Sequence, residues 1–415
     1  MIHEAQAIAF LQSLPEGSFV RNWAHYATFC TDAPVVYHIG CALAGLAAVA
    51  PPSLMLSMGQ KTYGTIWMML VGESGTTKKT TAINLMEDAI RAVCPLRQGS
   101  LHGSVQSFYE GLESEPIQLV VYGEFGVFLS QSAQKGSPLA PLRDAWMGAW
   151  DCRDIPYKTV KKMRHVRDPR FSLLVGCAPG LLEENTTSFD WENGFTSRWT
   201  ILYSFRERCI VIPRGHQVSH DWCITRLAAL FAGGNGIQPC QAITPEAADY
   251  YDRWFRQFQD LCASATTRSW AKSPMARVHT VALKAAILLS FDFGAASRAM
   301  DGRAWALELP EMIAGIAFAE LHLASMLGVV GGIGGSIFGR ARRAVMATLT
   351  QGPLLLGEII ARCQPEIPKK QVIDILDSTC EACQTWKVQS PRGMVYMLIE
   401  PEIPEGSIAM FNLEN

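Results

Sequence analysis

The sequence predicts an α/β protein, with a core of alternating strands and helices over residues 59–213 between a short helical segment and a longer helical domain. Three observations carry that prediction. The continuous apolar run Ile66–Val71 and the largely apolar segments Ile117–Tyr122 and Phe171–Cys177 have the length of buried strands. Segments of helical period lie between them. Beyond Pro213 the pattern changes to long helical stretches with no further alternation of strand and helix.

Taken in order, residues 1–58 read as helical: Ala5–Leu14 is amphipathic, a second segment surrounds Trp23–Cys30, and the Ala-rich run Cys41–Ala50 stops at Pro51-Pro52. Next comes the strand Ile66–Val71, a glycine-containing loop and a helix over Thr80–Ala92. Residues 214–335 form the helical domain, with Pro245–Ser264 and Met275–Phe291 as its clearest members. Residues 336–400 hold helical segments at Arg340–Leu349, Leu355–Arg362 and Lys369–Ala382, then a hairpin of Thr385–Val388 and Met394–Ile399 around Ser390-Pro391-Arg392-Gly393. Three helices and a hairpin read as a winged helix, and residues 401–415 as a tail.

Of the 415 residues 49% are apolar and 18% charged, which is the composition of a folded chain rather than a disordered one. A net charge of −2 excludes coating of nucleic acid by bulk charge, so any such contact must be a local patch. The N-terminus lacks a basic region followed by an apolar one, and a cytoplasmic protein is expected. Ile39–Met58 and Ile313–Phe338 approach the length of a membrane span. The first is broken by two prolines and the second carries Glu320 and His322, so buried helices are expected and no membrane contact. The 12 cysteines are scattered, as free thiols in a reducing compartment would be.

Chemistry concentrates in Gly72-Glu73-Ser74-Gly75-Thr76-Thr77-Lys78-Lys79-Thr80-Thr81, between a predicted strand and a predicted helix. Backbone N–H groups at such a helix start wrap phosphates, a lysine reaches the terminal phosphates and a hydroxyl binds Mg²⁺. The spacing Gly-x-x-x-x-Gly-Lys-Ser/Thr is matched imperfectly. Counting from Gly72 puts Lys79 at the hydroxyl position. A shift of one residue makes Lys79-Thr80 the pair, and it is preferred because Mg²⁺ requires an oxygen ligand, here Thr80. Which of Lys78 and Lys79 touches the phosphates is left to loop geometry. Further on, the strand Ile117–Tyr122 runs into Gly123-Glu124, where a carboxylate can polarise an attacking water. Glu124 is the candidate base; a strand-end Glu facing solvent is the plainer alternative.

These motifs occur in a recognisable order. The loop Gly72–Thr81, the strand ending in Glu124, Trp150-Asp151-Cys152-Arg153-Asp154-Ile155-Pro156-Tyr157 with its basic sequel, and Asp168-Pro169-Arg170-Phe171-Ser172-Leu173-Leu174-Val175-Gly176-Cys177-Ala178-Pro179 resemble a family of uncharacterised primase-helicase-associated ATPases of phages, plasmids and integrated elements. Gly194-Phe195-Thr196-Ser197-Arg198-Trp199 completes the set, and it resembles the Ser-Arg-Phe arginine-finger motif of minichromosome-maintenance and superfamily 3 helicases. The resemblance spans roughly residues 35–210. It implies a RecA- or AAA+-like P-loop core that binds ATP and Mg²⁺ and hydrolyses ATP between subunits of a ring, a hexamer. Such a ring would move on single-stranded DNA during replication of a mobile element, with a separate primase or replication initiator as partner. Arg198 would reach into the neighbouring subunit's site; pairing with Asp190 or Glu192 is the alternative.

Members often carry a primase-polymerase domain ahead of the ATPase, and 58 residues are too few for one. Two positions depart from the family pattern. Gly123 stands where a Mg²⁺-binding Asp is usual, and Ala178 where a polar residue would sense the terminal phosphate. Both favour an alternative, a nucleotide switch or loader with weak hydrolysis. A further alternative is a winged-helix DNA-binding initiator.

Between Arg153 and Arg170 seven basic residues face only Asp154 and Asp168. Lys158, Lys161, Lys162, Arg164, His165 and Arg167 would lie on a hairpin before the third strand, and by resemblance to hexameric helicases that hairpin lines the pore and tracks DNA phosphates. In the winged helix, Lys369 and Lys370 open the recognition helix and Arg392 sits at the wing tip. Cys380-Glu381-Ala382-Cys383 lacks the second Cys/His pair that a structural zinc requires.

Overall fold

The structure is a computed structural model. It describes residues 2–99, 104–134, 136–158, 163–186, 190, 194–204, 220–234, 237, 239–240, 242–264, 275–295, 305–330, 344–346, 348–349, 352–363, 367, 369–381, 385–390 and 393–398. Two compact units emerge: Ile2–Val329, and the described residues from Val330 onward.

In the first unit the chain opens with α1 (Ile2–Gln12), α2 (Phe19–Cys30) and α3 (Val35–Val49). Ser18 caps α2 by accepting the Arg21 N–H, and its hydroxyl donates to the buried carboxylate of Asp292, which also accepts the Phe19 N–H. A carboxylate at the positive end of a helix is favourably placed, and it ties the first helices to a segment far along the chain. After Pro51-Pro52 an unpredicted hairpin forms, β1 (Met55–Met58) and β2 (Gln60–Tyr63), turning at Gly59 with φ +65°. The two prolines end the helix, and the chain beyond them alternates in burial as a strand does.

The core follows: β3 (Trp67–Val71), α4 (Lys79–Val93), β4 (Gln98–Gly99), α5 (Val105–Ser114), β5 (Ile117–Tyr122), α6 (Phe125–Ala133), α7 (Ala140–Trp150), the hairpin β6 (Ile155–Lys158) and β7 (Met163–Val166), β8 (Arg170–Cys177), α8 (Pro179–Asn185) and β9 (Thr200–Tyr203). Five strands form one parallel sheet in the order β4-β5-β8-β3-β9. All of β3 and β8 is buried, as expected of central strands covered on both faces. Helices α3 and α4 pack together on one face, while α6 and α7 contact β8 from the other. On that second face Trp67, Phe125, Phe128, Trp146, Phe171 and Trp199 form a continuous aromatic layer. Its ring pairs add directional attraction to the large area they bury.

Beyond residue 213 lie α9 (His220–Gly233), β10 (Ala242–Ile243), α10 (Pro245–Ser264), α11 (Val278–Ser290), β11 (Ala306–Leu307) and α12 (Leu309–Val330). The two-residue parallel pair of β10 with β11 was not expected from a purely helical pattern. Helix α12 contains a stretch, Leu309–Val329, long and apolar enough to cross a membrane, with mean hydropathy 1.7. Here it covers the sheet edge: buried His322 accepts the Ile201 N–H of β9 on Nδ1 at 3.0 Å. Burial pushes the His322 imidazole down to about 4, so it stays neutral and keeps that acceptor.

Two residues before His322 on the same helix, Glu320 accepts the indole N–H of Trp254 on α10 at 2.9 Å. Burial pushes this carboxyl up to about 8, with the indole bond opposing. A carboxyl unfolds to an ordinary value of about 4.3, so between there and pH 8 the folded chain binds more protons than the unfolded one. Below about pH 6.5 the depressed His322 acts in the opposite sense, so the net fall in stability is expected between about pH 6.5 and 8, levelling above that. Urea melts at pH 5, 6.5 and 8 on the native chain and on Glu320→Gln check this: the variant should lose the slope.

The second unit contains β12 (Leu354–Leu355), α13 (Leu356–Cys363), α14 (Lys369–Glu381), β13 (Thr385–Ser390) and β14 (Gly393–Leu398). The strands form an antiparallel sheet in the order β12-β14-β13 around a core that includes Val345, Leu349, Ile359, Val372 and Ile375.

Candidate functional site

The loop after β3 starts at the carboxyl end of the sheet, where ligands bind in open α/β folds. Its first residue admits no side chain: a Cβ on Gly72 would lie 2.2 Å from the Tyr37 hydroxyl and 2.6 Å from Thr77 Oγ1. Tyr37, fully buried on α3, donates to the Val71 carbonyl at 2.6 Å and so fixes the strand end from below. Thr77 is buried and donates from Oγ1 to the Glu73 carbonyl at 2.9 Å, closing the turn. Glu73, Ser74 and Gly75 are exposed and Thr76 half-buried, so the loop rim faces solvent.

The two lysines separate clearly. Lys78 is exposed, with φ 53° and ψ 34°, at the N-cap of α4. Lys79 is buried, and its Nζ donates to the carbonyls of Gly72 at 2.6 Å and Glu73 at 3.2 Å, inside the curve of the loop. Burial lowers its pKa, and the negative charge of Glu124 opposes that shift. Thr80 and Thr81 are exposed on the first turn of α4.

Strand β5 is not the neighbour of β3, because β8 lies between them. Gly176 on β8 lets the turn after β5 approach; a Cβ there would lie 2.5 Å from the Gly123 carbonyl oxygen. A Cβ on Gly123 would lie 3.4 Å from Thr80 Oγ1, so positions 123 and 80 are in contact. Glu124 is exposed at the start of α6. Cys177 ends β8 in the same locality: burial pushes its thiol up to about 12, Lys79 opposes and Glu124 adds to the shift. Lys79, Thr80 and Glu124 thus converge at the carboxyl ends of β3, β8 and β5. Ala178 is the N-cap residue of α8 and supplies no side-chain cap.

Arg198 lies elsewhere. Thr200 pairs beside Met68 and Tyr203 beside Val71, so Arg198, two residues before β9, sits at the amino ends of the strands. At about 3.3 Å per residue that is on the order of 20 Å from the loop, beyond the reach of one side chain. Its Nη1 donates to the Gly194 carbonyl at 2.7 Å. Gly194 has φ +94°, and a Cβ there would lie 2.6 Å from that Nη1, so glycine is needed on both counts. Asp190, the partner considered for Arg198, is ion-paired with Arg143 at 2.9 Å. Glu192 lies outside the described residues.

The basic segment forms a hairpin before β8, as expected, with Tyr157 opposite Arg164 and Lys158 opposite Met163. Lys158, His165 and Arg167 are exposed, whereas Lys161 and Lys162 lie outside the described residues. Arg164 is engaged within the chain, at 2.7 Å from Glu113 and 3.5 Å from Glu110 of α5. Tyr157 donates to the same Glu113 at 2.8 Å, so both residues anchor the hairpin rather than presenting it. Arg170, counted in the basic run, is buried with its guanidinium 3.8 Å from the Tyr63 ring centroid. In the second unit Lys369 and Lys370 are exposed at the start of α14, and Arg392 lies outside the described residues.

The sequence reading missed Tyr37, which matters to this site. No local motif marks it; it reaches the site through tertiary packing. Among the described residues no group of three or more His, Cys, Asp or Glu side chains is arranged to hold a metal ion. A Mg²⁺ on Thr80 would be held mainly by phosphate and water oxygens, which suits an ion that binds with substrate.

Fold and site together define a mixed α/β protein with a central parallel sheet and polar groups gathered at its carboxyl edge. No protein-family model and no curated protein matches the chain.

Proposed function

We propose that this chain is an ATP-dependent DNA helicase or translocase acting in the cytoplasm as a ring, a hexamer, in replication of a phage, plasmid or integrated mobile element. The observation that carries the reading is the convergence of Lys79, Thr80 and Glu124 on the loop after β3. ATP binds with its phosphates on Gly72–Thr81, Lys79 on the terminal phosphates, Thr80 on Mg²⁺ and Glu124 as base toward the attacking water. Arg198 serves the site of the next subunit. The exposed Lys158 and Arg167, with the hairpin tip, contact single-stranded DNA, and Arg164 holds the hairpin in place. Helices α13 and α14, the helical residues at 344–346 and 348–349 and a three-stranded antiparallel sheet support a winged helix at the C-terminal end, with Lys369 and Lys370 toward nucleic acid. A separate primase or replication initiator is the expected partner.

Steady-state ATP hydrolysis with and without single-stranded DNA tests the motor. Stimulation by DNA is expected, and Glu124→Gln should lower turnover by roughly 10²-fold or more while ATP still binds. Unstimulated, slow hydrolysis would overturn the motor.

One observation favours a second reading, a nucleotide switch or loader. Position 123 touches Thr80 yet carries no carboxylate to hold the metal. On that reading Gly123→Asp should tighten Mg²⁺ dependence and raise turnover several-fold, measured as hydrolysis against Mg²⁺ concentration. Unchanged turnover would mean that the missing carboxylate does not limit the native chain.

A further inference from the structure

Helix α3 packs on two adjacent strands of the sheet, β3 and β9. Gly40 makes the approach close: a Cβ there would lie 2.7 Å from Leu202 Cδ1 on β9, 3.0 Å from Met68 Sδ and 3.1 Å from Leu70 Cδ2 on β3. Tyr37, one helix turn earlier, is thereby brought to the carboxyl ends of the same two strands. Its hydroxyl donates to the Val71 carbonyl at 2.6 Å and lies 3.4 Å from the Ser204 carbonyl just beyond β9. The Val71 carbonyl also accepts the Ser204 N–H at 3.1 Å, so a single phenol clamps both strand ends.

The ring alone would fill this space, and burying a hydroxyl is unfavourable unless it is partnered. Tyr37 is wholly buried on a mostly apolar helix. Burial pushes its phenol up, with the Thr77 hydroxyl opposing, so the oxygen keeps its proton and remains a donor. What it abuts is the first residue of the loop. The Gly72 N–H donates to the Cys177 carbonyl of β8 at 3.2 Å, its carbonyl accepts Lys79 Nζ at 2.6 Å, and its Cα faces the Tyr37 hydroxyl. The start of the loop, and the place where Lys79 is held, are therefore set from beneath by a side chain of another element.

We propose that Tyr37 is a positioning residue for phosphate binding: its hydroxyl fixes the height of Gly72, and with it the backbone N–H groups of residues 73–78 that receive the phosphates of a nucleotide. The inference rests on the nucleotide reading above. Loop N–H groups grip the phosphates alike before and during transfer, so displacing them weakens binding uniformly and raises KM while kcat stays nearly constant. A tyrosine that served folding alone would behave otherwise. Its loss would reduce the share of folded chain, which lowers apparent kcat and leaves KM unchanged.

The test is Tyr37→Phe in the full chain, which keeps the ring and leaves the Val71 carbonyl its bond from the Ser204 N–H. KM for ATP is expected to rise roughly tenfold and kcat to fall by less than about threefold. Where turnover is too slow to follow, the same tenfold is read as the Kd of a fluorescent ATP analogue. Thermal melts should stay within about 4 °C of the native chain. Val49→Ala, buried at the other end of α3, controls for lost packing: it should melt lower and bind ATP as the native chain does. Unchanged KM and Kd in Tyr37→Phe, a fall in kcat alone, or an equal rise in KM in Val49→Ala overturns the inference and leaves the nucleotide reading standing. A native chain that neither binds nor hydrolyses ATP overturns both.

Discussion

Replacing Lys79 by Ala is expected to lower ATP turnover by roughly 10³-fold, since a charged donor aimed at developing phosphoryl charge carries several kcal/mol of transition-state stabilisation. Lys78→Ala should change turnover by less than about threefold, the effect of an exposed charge screened by solvent. The contrast comes from geometry. The Lys79 ammonium lies inside the loop against the Gly72 and Glu73 carbonyls, whereas Lys78 points to solvent. Lys79→Ala also removes the hydrogen bonds from Nζ to the Gly72 and Glu73 carbonyls inside the loop, so folding is read beside activity. Turnover and fluorescent-nucleotide binding, with far-UV circular dichroism as the folding check, decide it. Equal losses in the two variants would move the phosphate contact one residue upstream.

Arg198→Ala is expected to lower turnover by roughly 10³-fold as well, the scale on which arginine fingers act. Mixing it with Lys79→Ala gives the sharper result. A subunit with an intact loop then meets a neighbour with an intact Arg198, and a random equal mixture should form about one working interface in four. Recovery to about a quarter of native turnover is therefore expected, from two preparations that are each nearly inactive. If Arg198 served its own loop, mixing would restore nothing. The spatial basis is the register of β3 with β9, which keeps Arg198 at the opposite end of the strands from Gly72.

Much of this architecture is legible in the sequence, and the illegible parts share a cause. The central strands could be read because full burial favours largely apolar runs such as Ile66–Val71 and Phe171–Cys177. The preference for Lys79-Thr80 followed from the need of Mg²⁺ for oxygen, and the positions of both lysines are consistent with it. By contrast β9 and β4 have four and two residues, and they exist through pairing with β3 and β5. Arg164 reads as a free basic residue until α5 brings Glu110 and Glu113 against it. Arg277 and Lys284 meet Trp150 only through tertiary packing, more than 120 residues away in the chain. A polar group was sought at position 178, yet the side chain electrostatically coupled to Lys79 and Glu124 is the thiol of Cys177. Periodicity reports burial; it says little about which distant side chains will meet.

The contact between His322 and the Ile201 amide sets a limit on growth. A parallel sheet with a bare outer strand is a template to which another strand, from this chain or a second one, can attach. Here a neutral imidazole occupies the bonding position on β9, and the helix that carries it stands where a sixth strand would lie. On this side the sheet is finished. Copies of the molecule that associate here must do so through side-chain surfaces, leaving each backbone ladder private to its own chain.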